Sequence, residues 1–266
     1  MTAGKRDFGR VGVIGAGHLG ATLALEILKH GLPPERLLIS TGGSPGSAER
    51  LRVTGLGANI TTNEQIAASC PFVFATLRPS GWDFLTKLEF TENVTIISTI
   101  AGVSASRLGA LTGRRCVHAM PSGPDTISSG NGLCAIFPSE PTVSGLLRAI
   151  GMQVVPLTSE EEMQEFTAAV CLPAVAVAAQ SMGIDLEAQW GDAQRLFPSL
   201  ASTIHWARTA APELSREIDR QAYIGRMATK GGITEIIIES FRAGQSMSQS
   251  LVKGVARCRE IAQSSR

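Results

Sequence analysis

The stretch VGVIGAGHLG, residues 11–20, constrains this chain more than any other. Gly15, Gly17 and Gly20 form a Gly-x-Gly-x-x-Gly pattern directly after an apolar run that predicts a strand. They stand at the mouth of HLGATLALEILKHG, which predicts a helix ending at Gly31. In such a turn the first glycine permits the tight bend and the second admits a pyrophosphate to the backbone. The third lets helix and strand pack closely, and the helix N-terminus faces the phosphates. A glycine triplet alone is a weak signal, but here the strand, the helix and the βα alternation that follows are all present. Dinucleotide binding is therefore expected, with Gly15, Ala16, Gly17, His18, Leu19 and Gly20 around the phosphates. The alternative is a glycine-rich turn that has lost its cofactor.

Short apolar runs continue along the chain: RLLIST, GANIT, PFVFATL, NVTIISTI, RCVHAM, LCAIFPS and MQVVPL. Strands apolar throughout, with helices between them, predict a parallel doubly wound sheet covered on both faces. After Pro156 the strand signal stops and the chain reads as helical to its end, punctuated by Pro173, Pro198 and Pro212. The expected organisation is α/β: a dinucleotide-binding domain over residues 1–157, then an all-α domain over 158–266. AVAVAA and ITEIIIESF are apolar on more faces than a small monomeric domain needs. A helix apolar all round is buried, so a homodimer or larger homo-oligomer through the helical domain is expected.

Net charge is +1 and no run of lysines and arginines occurs, which gives no reason to expect nucleic acid or an anionic membrane as partner. The N-terminal residues do not read as a signal peptide. The longest apolar stretch, residues 166–179, is too short to cross a bilayer and reads as a buried helix. Five cysteines without a Cys-x-x-Cys pair read as free thiols in a reducing cytoplasm, with no metal site.

The second strand ends in Ser40, Thr41, Gly42, Gly43 and Ser44, with no acid before Glu49. An NAD site places an acid there for the ribose hydroxyl, whereas hydroxyls and glycine amides suit a 2′-phosphate. This favours NADPH over NADH, with Ser40 and Thr41 at the ribose. Arg50 and Arg52 either lean toward the phosphate or form a solvated helix face. The nicotinamide would lie over the carboxyl ends of the central strands, at Thr76–Gly81, Ser98–Ser104 and His118–Pro124. Leu77, Arg78, Pro79, Ala101 and Gly102 are the cofactor contacts expected there. His18 and His118 read as structural rather than catalytic.

Taken in order, these stretches resemble the pyrroline-5-carboxylate reductase family. VGVIGAGHLG is similar to its Ile-Gly-x-Gly-x-Met-Gly start, TLRP to its Val-Lys-Pro, and STIAGVS to its Ser-Ile-x-Ala-Gly. HAMPSGPDTISSGNG is similar to its Arg-x-Met-Pro-Asn-Thr-Pro segment, and MATKGGITEIII falls where it has Ser-Pro-Gly-Gly-Thr-Thr. The resemblance implies a Rossmann-type domain, a helical dimerisation domain and reduction of a cyclic imine carboxylate by NAD(P)H, in proline biosynthesis. It further implies that Thr234 hydrogen-bonds the ring nitrogen as the catalytic residue. Gly231 and Gly232 would bind the substrate carboxylate with help from Lys230 and Ser122. Two alternatives stay open at the turn: the glycine pair lets two helices pack closely, and Lys230 is simply solvated.

Departures from the pattern gather on the substrate side. The family's Gly-Ser-Gly-Pro-Ala-Tyr segment corresponds here to AVCLPAV, where Pro173 and Ala174 remain and Val175 replaces the tyrosine. Ser122 and Gly123 replace Asn-Thr, Arg78 the lysine, Lys230 a proline, and Ile233 the first threonine. This pattern also fits a reductase of a neighbouring imine, or a non-catalytic NADPH-binding regulatory relative. A hydroxyacid dehydrogenase would need a catalytic lysine shortly after a glycine-rich helix start in the second domain, which the sequence lacks.

Overall fold

The computed structural model describes residues 8–264. Strands β1 (Val11–Ile14), β2 (Leu37–Ser40), β3 (Phe72–Ala75), β4 (Thr95–Ser98), β5 (Arg115–Pro121), β6 (Leu133–Phe137) and β7 (Gln153–Pro156) form one sheet. Their spatial order is β2-β1-β3-β4-β5-β6-β7. Helices α1 (His18–Lys29), α2 (Pro45–Val53), α3 (Asn63–Ser69), α4 (Ala105–Thr112), α5 (Pro124–Ser128) and α6 (Pro141–Ala149) occupy its connections. Beyond β7 follow α7 (Glu160–Ala169), α8 (Leu172–Met182), α9 (Glu187–Leu196), α10 (Ala201–Ala210), α11 (Glu217–Met227), α12 (Ile233–Arg242) and α13 (Met247–Ser264).

The first five strands are parallel, and β1 stands between β2 and β3, Val11 pairing with both Leu37 and Phe72. The chain thus winds one way from β1 to β2 and the other way from β3 onward. The crevice of the switch point lies at the carboxyl ends of β1 and β3.

Two sequence expectations are corrected. The sheet is not parallel throughout: β6 runs antiparallel to β5, with Pro121 opposite Cys134, and β7 follows β6 in parallel. A parallel return needs a crossover of a dozen or more residues, and the short α5 connection is built as a return in place. GANIT is not a strand either. It forms a 3-10 turn, Gly57–Asn59, with a single bridge from Ile60 to Ile39. The buried Asn59 amide donates to the carbonyls of Pro34 (2.7 Å) and Leu37 (3.0 Å), so its side chain fastens a turn.

One apolar cluster runs from Met120, Leu133 and Ala135 on the sheet into Phe166, Val175, Ile237 and Leu251 of the helices. The helical half is therefore seated on the β5–β6 end of the sheet. Residues 172–179 of α8 are all buried, and α10, α11 and α12 of the same chain cover them. The AVAVAA run consequently needs no partner subunit to account for it. The apolar stretch across α7 and α8 is likewise mostly buried inside the fold.

Candidate active site

The glycine loop shows a separate physical reason for each glycine. Gly15 has φ +104°, and a Cβ there would stand 2.6 Å from the Thr76 carbonyl oxygen. A Cβ on Gly20 would fall 2.0 Å from the Gly15 oxygen and 2.5 Å from Thr76 Oγ1, so α1 passes the loop too closely for any side chain. A Cβ on Gly17 would meet nothing within 4 Å. That exposed side of the loop is where a pyrophosphate can approach the backbone. No side chain caps α1 and no acid stands in its first turn, which leaves its first amides free for an anion. Thr76 Oγ1 donates to the oxygens of Gly15 (2.5 Å) and Ile14 (3.2 Å), tying the loop after β3 to the loop after β1. Ala16 is buried, Leu19 half-buried and His18 exposed.

At the end of β2 the expected residues divide. Ser40 is buried and its hydroxyl donates to Asn63 Oδ1 at 2.5 Å, so it serves the fold. Thr41 to Ser44 form a turn closed by Ser44 N–H donating to the Thr41 oxygen (3.1 Å). Its glycines leave open space on their side-chain sides. Arg50 and Arg52 lie in the last turn of α2 rather than at its start, and Arg52 pairs with Glu49 at 3.4 Å. Recognition of a phosphate there would fall to hydroxyls and amides.

At the loops expected under the nicotinamide, Leu77, Pro79, Ala101 and Gly102 are half-buried and Arg78 is exposed. A Cβ on Gly102 would stand 2.7 Å from Ala262 Cα, so α13 reaches over the loop after β4. Beneath it a cavity of about 170 Å³ is lined by Gly102, Arg107, His118, Glu160, Gln164 and Cys258, among others. Glu160 at the start of α7 accepts the Ala105 amide (2.7 Å) with one carboxylate oxygen and meets His118 Nδ1 (3.1 Å) with the other. His118 is buried, and its Nε2 has no hydrogen-bond partner among the described residues.

The glycine turn between α11 and α12 is closed upon itself. Gly231, at φ +70°, donates its N–H to Glu235 Oε2 (2.5 Å), and Gly232 N–H donates to the Thr229 oxygen (2.8 Å). Arg257 Nε donates to the Gly231 oxygen at 2.9 Å, and Lys230 is exposed. Thr234 is turned inward, its hydroxyl donating to Cys171 Sγ at 3.2 Å. Burial pushes the Cys171 thiol up to about 11, and the Thr234 hydrogen bond opposes that rise.

One expected substrate contact has a role in the fold. Ser122 is buried at the junction of β5 and β6, where its hydroxyl oxygen accepts from Thr126 Oγ1 (2.7 Å) and from Leu133 N–H (3.1 Å). It fastens the strand return. Conversely, sequence reasoning passed over Glu160, Glu235 and Arg257. Glu160 is one of three consecutive glutamates, and no local pattern separates it from its neighbours.

A mostly parallel sheet with its glycine loop at the β1/β3 switch point and an uncapped α1 defines a Rossmann-type dinucleotide-binding fold, extended by a helical half. The comparisons agree. Residues 10–102 match the family described as NADP oxidoreductase coenzyme F420-dependent. Over nearly its whole length the chain is similar to two pyrroline-5-carboxylate reductases. It is 24% identical to that of Haemophilus influenzae, covering 93% of this chain and 94% of the relative. It is 25% identical to that of Pseudomonas aeruginosa, covering 96% and 97%. Among solved structures, Plasmodium falciparum pyrroline carboxylate reductase with NADP bound has the same fold, with TM-score 0.58 and 18% identity over 97% of this chain and 98% of that one.

Proposed function

We propose that this chain is an NAD(P)H-dependent oxidoreductase acting on the C=N bond of a cyclic imine carboxylate, taking pyrroline-5-carboxylate to proline. The similarity to two pyrroline-5-carboxylate reductases over nearly the whole chain supports the substrate, and the glycine loop is the observation that carries the cofactor. Gly15 and Gly20 are crowded by backbone while Gly17 stays open, and the cofactor's phosphates need that combination. Gly15 to Gly20 would hold the pyrophosphate, with Thr41 and the glycine turn after β2 at the ribose. Leu77, Pro79, Ala101 and Gly102 would lie along the nicotinamide, and Arg78 at the rim. NADPH is the favoured form because no acid ends β2.

When bound, the cofactor supplies a hydride. Because a protonated imine is already electrophilic, the protein's task is to position it and exclude water rather than to move protons. In this reading Thr234 leaves Cys171 by a change of χ1 and turns its hydroxyl to the ring nitrogen. The turn of Gly231 and Gly232 receives the carboxylate together with Lys230, through the Gly231 amide once the Glu235 side chain has left it. The division at residues 157 and 158 separates a cofactor domain from a substrate domain. A cytoplasmic homo-oligomer assembled through the helical half belongs to the same reading.

The test is NADPH oxidation followed by absorbance, with pyrroline-5-carboxylate, the six-membered piperideine carboxylate, and NADH as control. Turnover of the five-membered imine supports the proposal as stated, and turnover of the six-membered ring alone shifts the substrate to a neighbouring imine. No turnover of either, with NADPH still bound, would leave a substrate half rebuilt for something else or a non-catalytic NADPH-binding relative.

A further inference from the structure

The glycine turn already carries an anion of its own. Glu235 is the third residue of α12, and its carboxylate folds back onto the Gly231 amide at 2.5 Å. Arg257 holds the same residue from the other side through the Gly231 carbonyl. The Gly232 amide is meanwhile committed to Thr229. An amide presented by a left-handed glycine ahead of a helix N-terminus is the donor a small carboxylate would use, and here it is occupied.

Resting on the function proposed above, we infer that Glu235 is a specificity-determining residue, an internal occupant of the position that a substrate carboxylate must take. A carboxylate-bearing imine has to displace the Glu235 side chain and then sit beside a like charge, whereas the same ring without a carboxylate does neither. Two carboxylates cannot share one N–H, and like charges in one site repel by an amount that discriminates between ligands. Glu235 thus weakens binding of carboxylate imines selectively. The competing reading treats it only as a helix cap, since an acid at the third helical position commonly reaches back to the N-terminus.

Glu235→Gln separates the two, because glutamine keeps the capping hydrogen bond and removes the charge. Full-length protein with saturating NADPH would be assayed with pyrroline-5-carboxylate and with 1-pyrroline, the same ring lacking the carboxylate. In Glu235→Gln the KM for pyrroline-5-carboxylate is expected to fall about tenfold, while kcat/KM for 1-pyrroline changes less than about twofold. Glu235→Ala should shift the ratio in the same direction even if it lowers the melting temperature. An equal change for both substrates, no change, or a higher KM for the carboxylate imine would overturn the inference. Calorimetric binding of L-proline and pyrrolidine to the NADP-loaded protein gives a readout independent of turnover. If neither imine is reduced but Glu235→Gln selectively tightens proline, the function fails and the role of Glu235 stands. If the variant tightens neither ligand, or both alike, that role fails as well.

Discussion

His118 Nδ1 lies 3.1 Å from Glu160 Oε2, across the join between the sheet and the first helix of the helical half. The second oxygen of Glu160 takes the Ala105 amide, so one carboxylate binds β5 and the start of α4 to α7. The loop carrying Ala101 and Gly102, expected under the nicotinamide, runs directly into α4. The pair therefore anchors the loop after β4 from beneath, in the cavity that Gly102, His118 and Glu160 line together.

Glu160→Ala is expected to leave a buried imidazole with neither nitrogen paired and a backbone amide without its acceptor. The cost should be about 1–3 kcal/mol, which for a chain of this size lowers the melting temperature by roughly 2–4 °C per kcal/mol. The KM for NADPH should rise as the loop loses its anchor, and Glu160→Gln should recover most of both. Calorimetric melting and cofactor titration check this.

Gly17→Ala and Gly20→Ala should fail in different ways. The added methyl at Gly20 lands 2.0 Å from the Gly15 oxygen, an overlap with backbone that should cost about 2 kcal/mol or more. At Gly17 it meets no protein atom, so stability should stay within about 1 kcal/mol of the parent. NADPH affinity should nevertheless fall about tenfold or more there, because the methyl stands where the pyrophosphate approaches. Urea denaturation and fluorescence titration of NADPH separate the two outcomes.

Thr234→Val should lower kcat for imine reduction by about 10- to 100-fold, the value of one hydrogen bond to a charged group. NADPH binding should be unchanged. Loss of the bond to Cys171 should cost little stability, since a thiol is a weak acceptor. Steady-state kinetics with a melting curve is sufficient.

Burial raises the Cys116 thiol from its ordinary 9.0 to about 11, with the hydrogen bond between Cys116 and Thr112 as a smaller opposing effect. The folded state therefore keeps the proton that the unfolded chain releases first. The contribution is fully present below pH 9 and is lost as pH rises from about 9 to about 11. Urea midpoints should fall across that window, and less steeply in Cys116→Ala.

Much of this architecture was legible in sequence because it is local. The glycine spacing places a turn between a strand and a helix within ten residues, and both glycine contacts with Thr76 follow from close βα packing. Hydroxyl caps such as Ser44, Ser104 and Ser159 start α2, α4 and α7 by accepting amides only three residues on. The run of helices after Pro156 is marked by its own periodicity and prolines. What only the tertiary structure decided depends on partners far apart in the chain. GANIT lost its strand to an asparagine bonding carbonyls 25 and 22 residues back, and β6 reversed because its connection is short. Ser122 is buried and bonded to Leu133, eleven residues on. Glu160 gained its role from residues 42 and 55 positions away. Propensity and spacing act within a turn or two of chain, whereas the pairing of a half-buried carboxylate is chosen only when packing brings its partners together and removes water from between them.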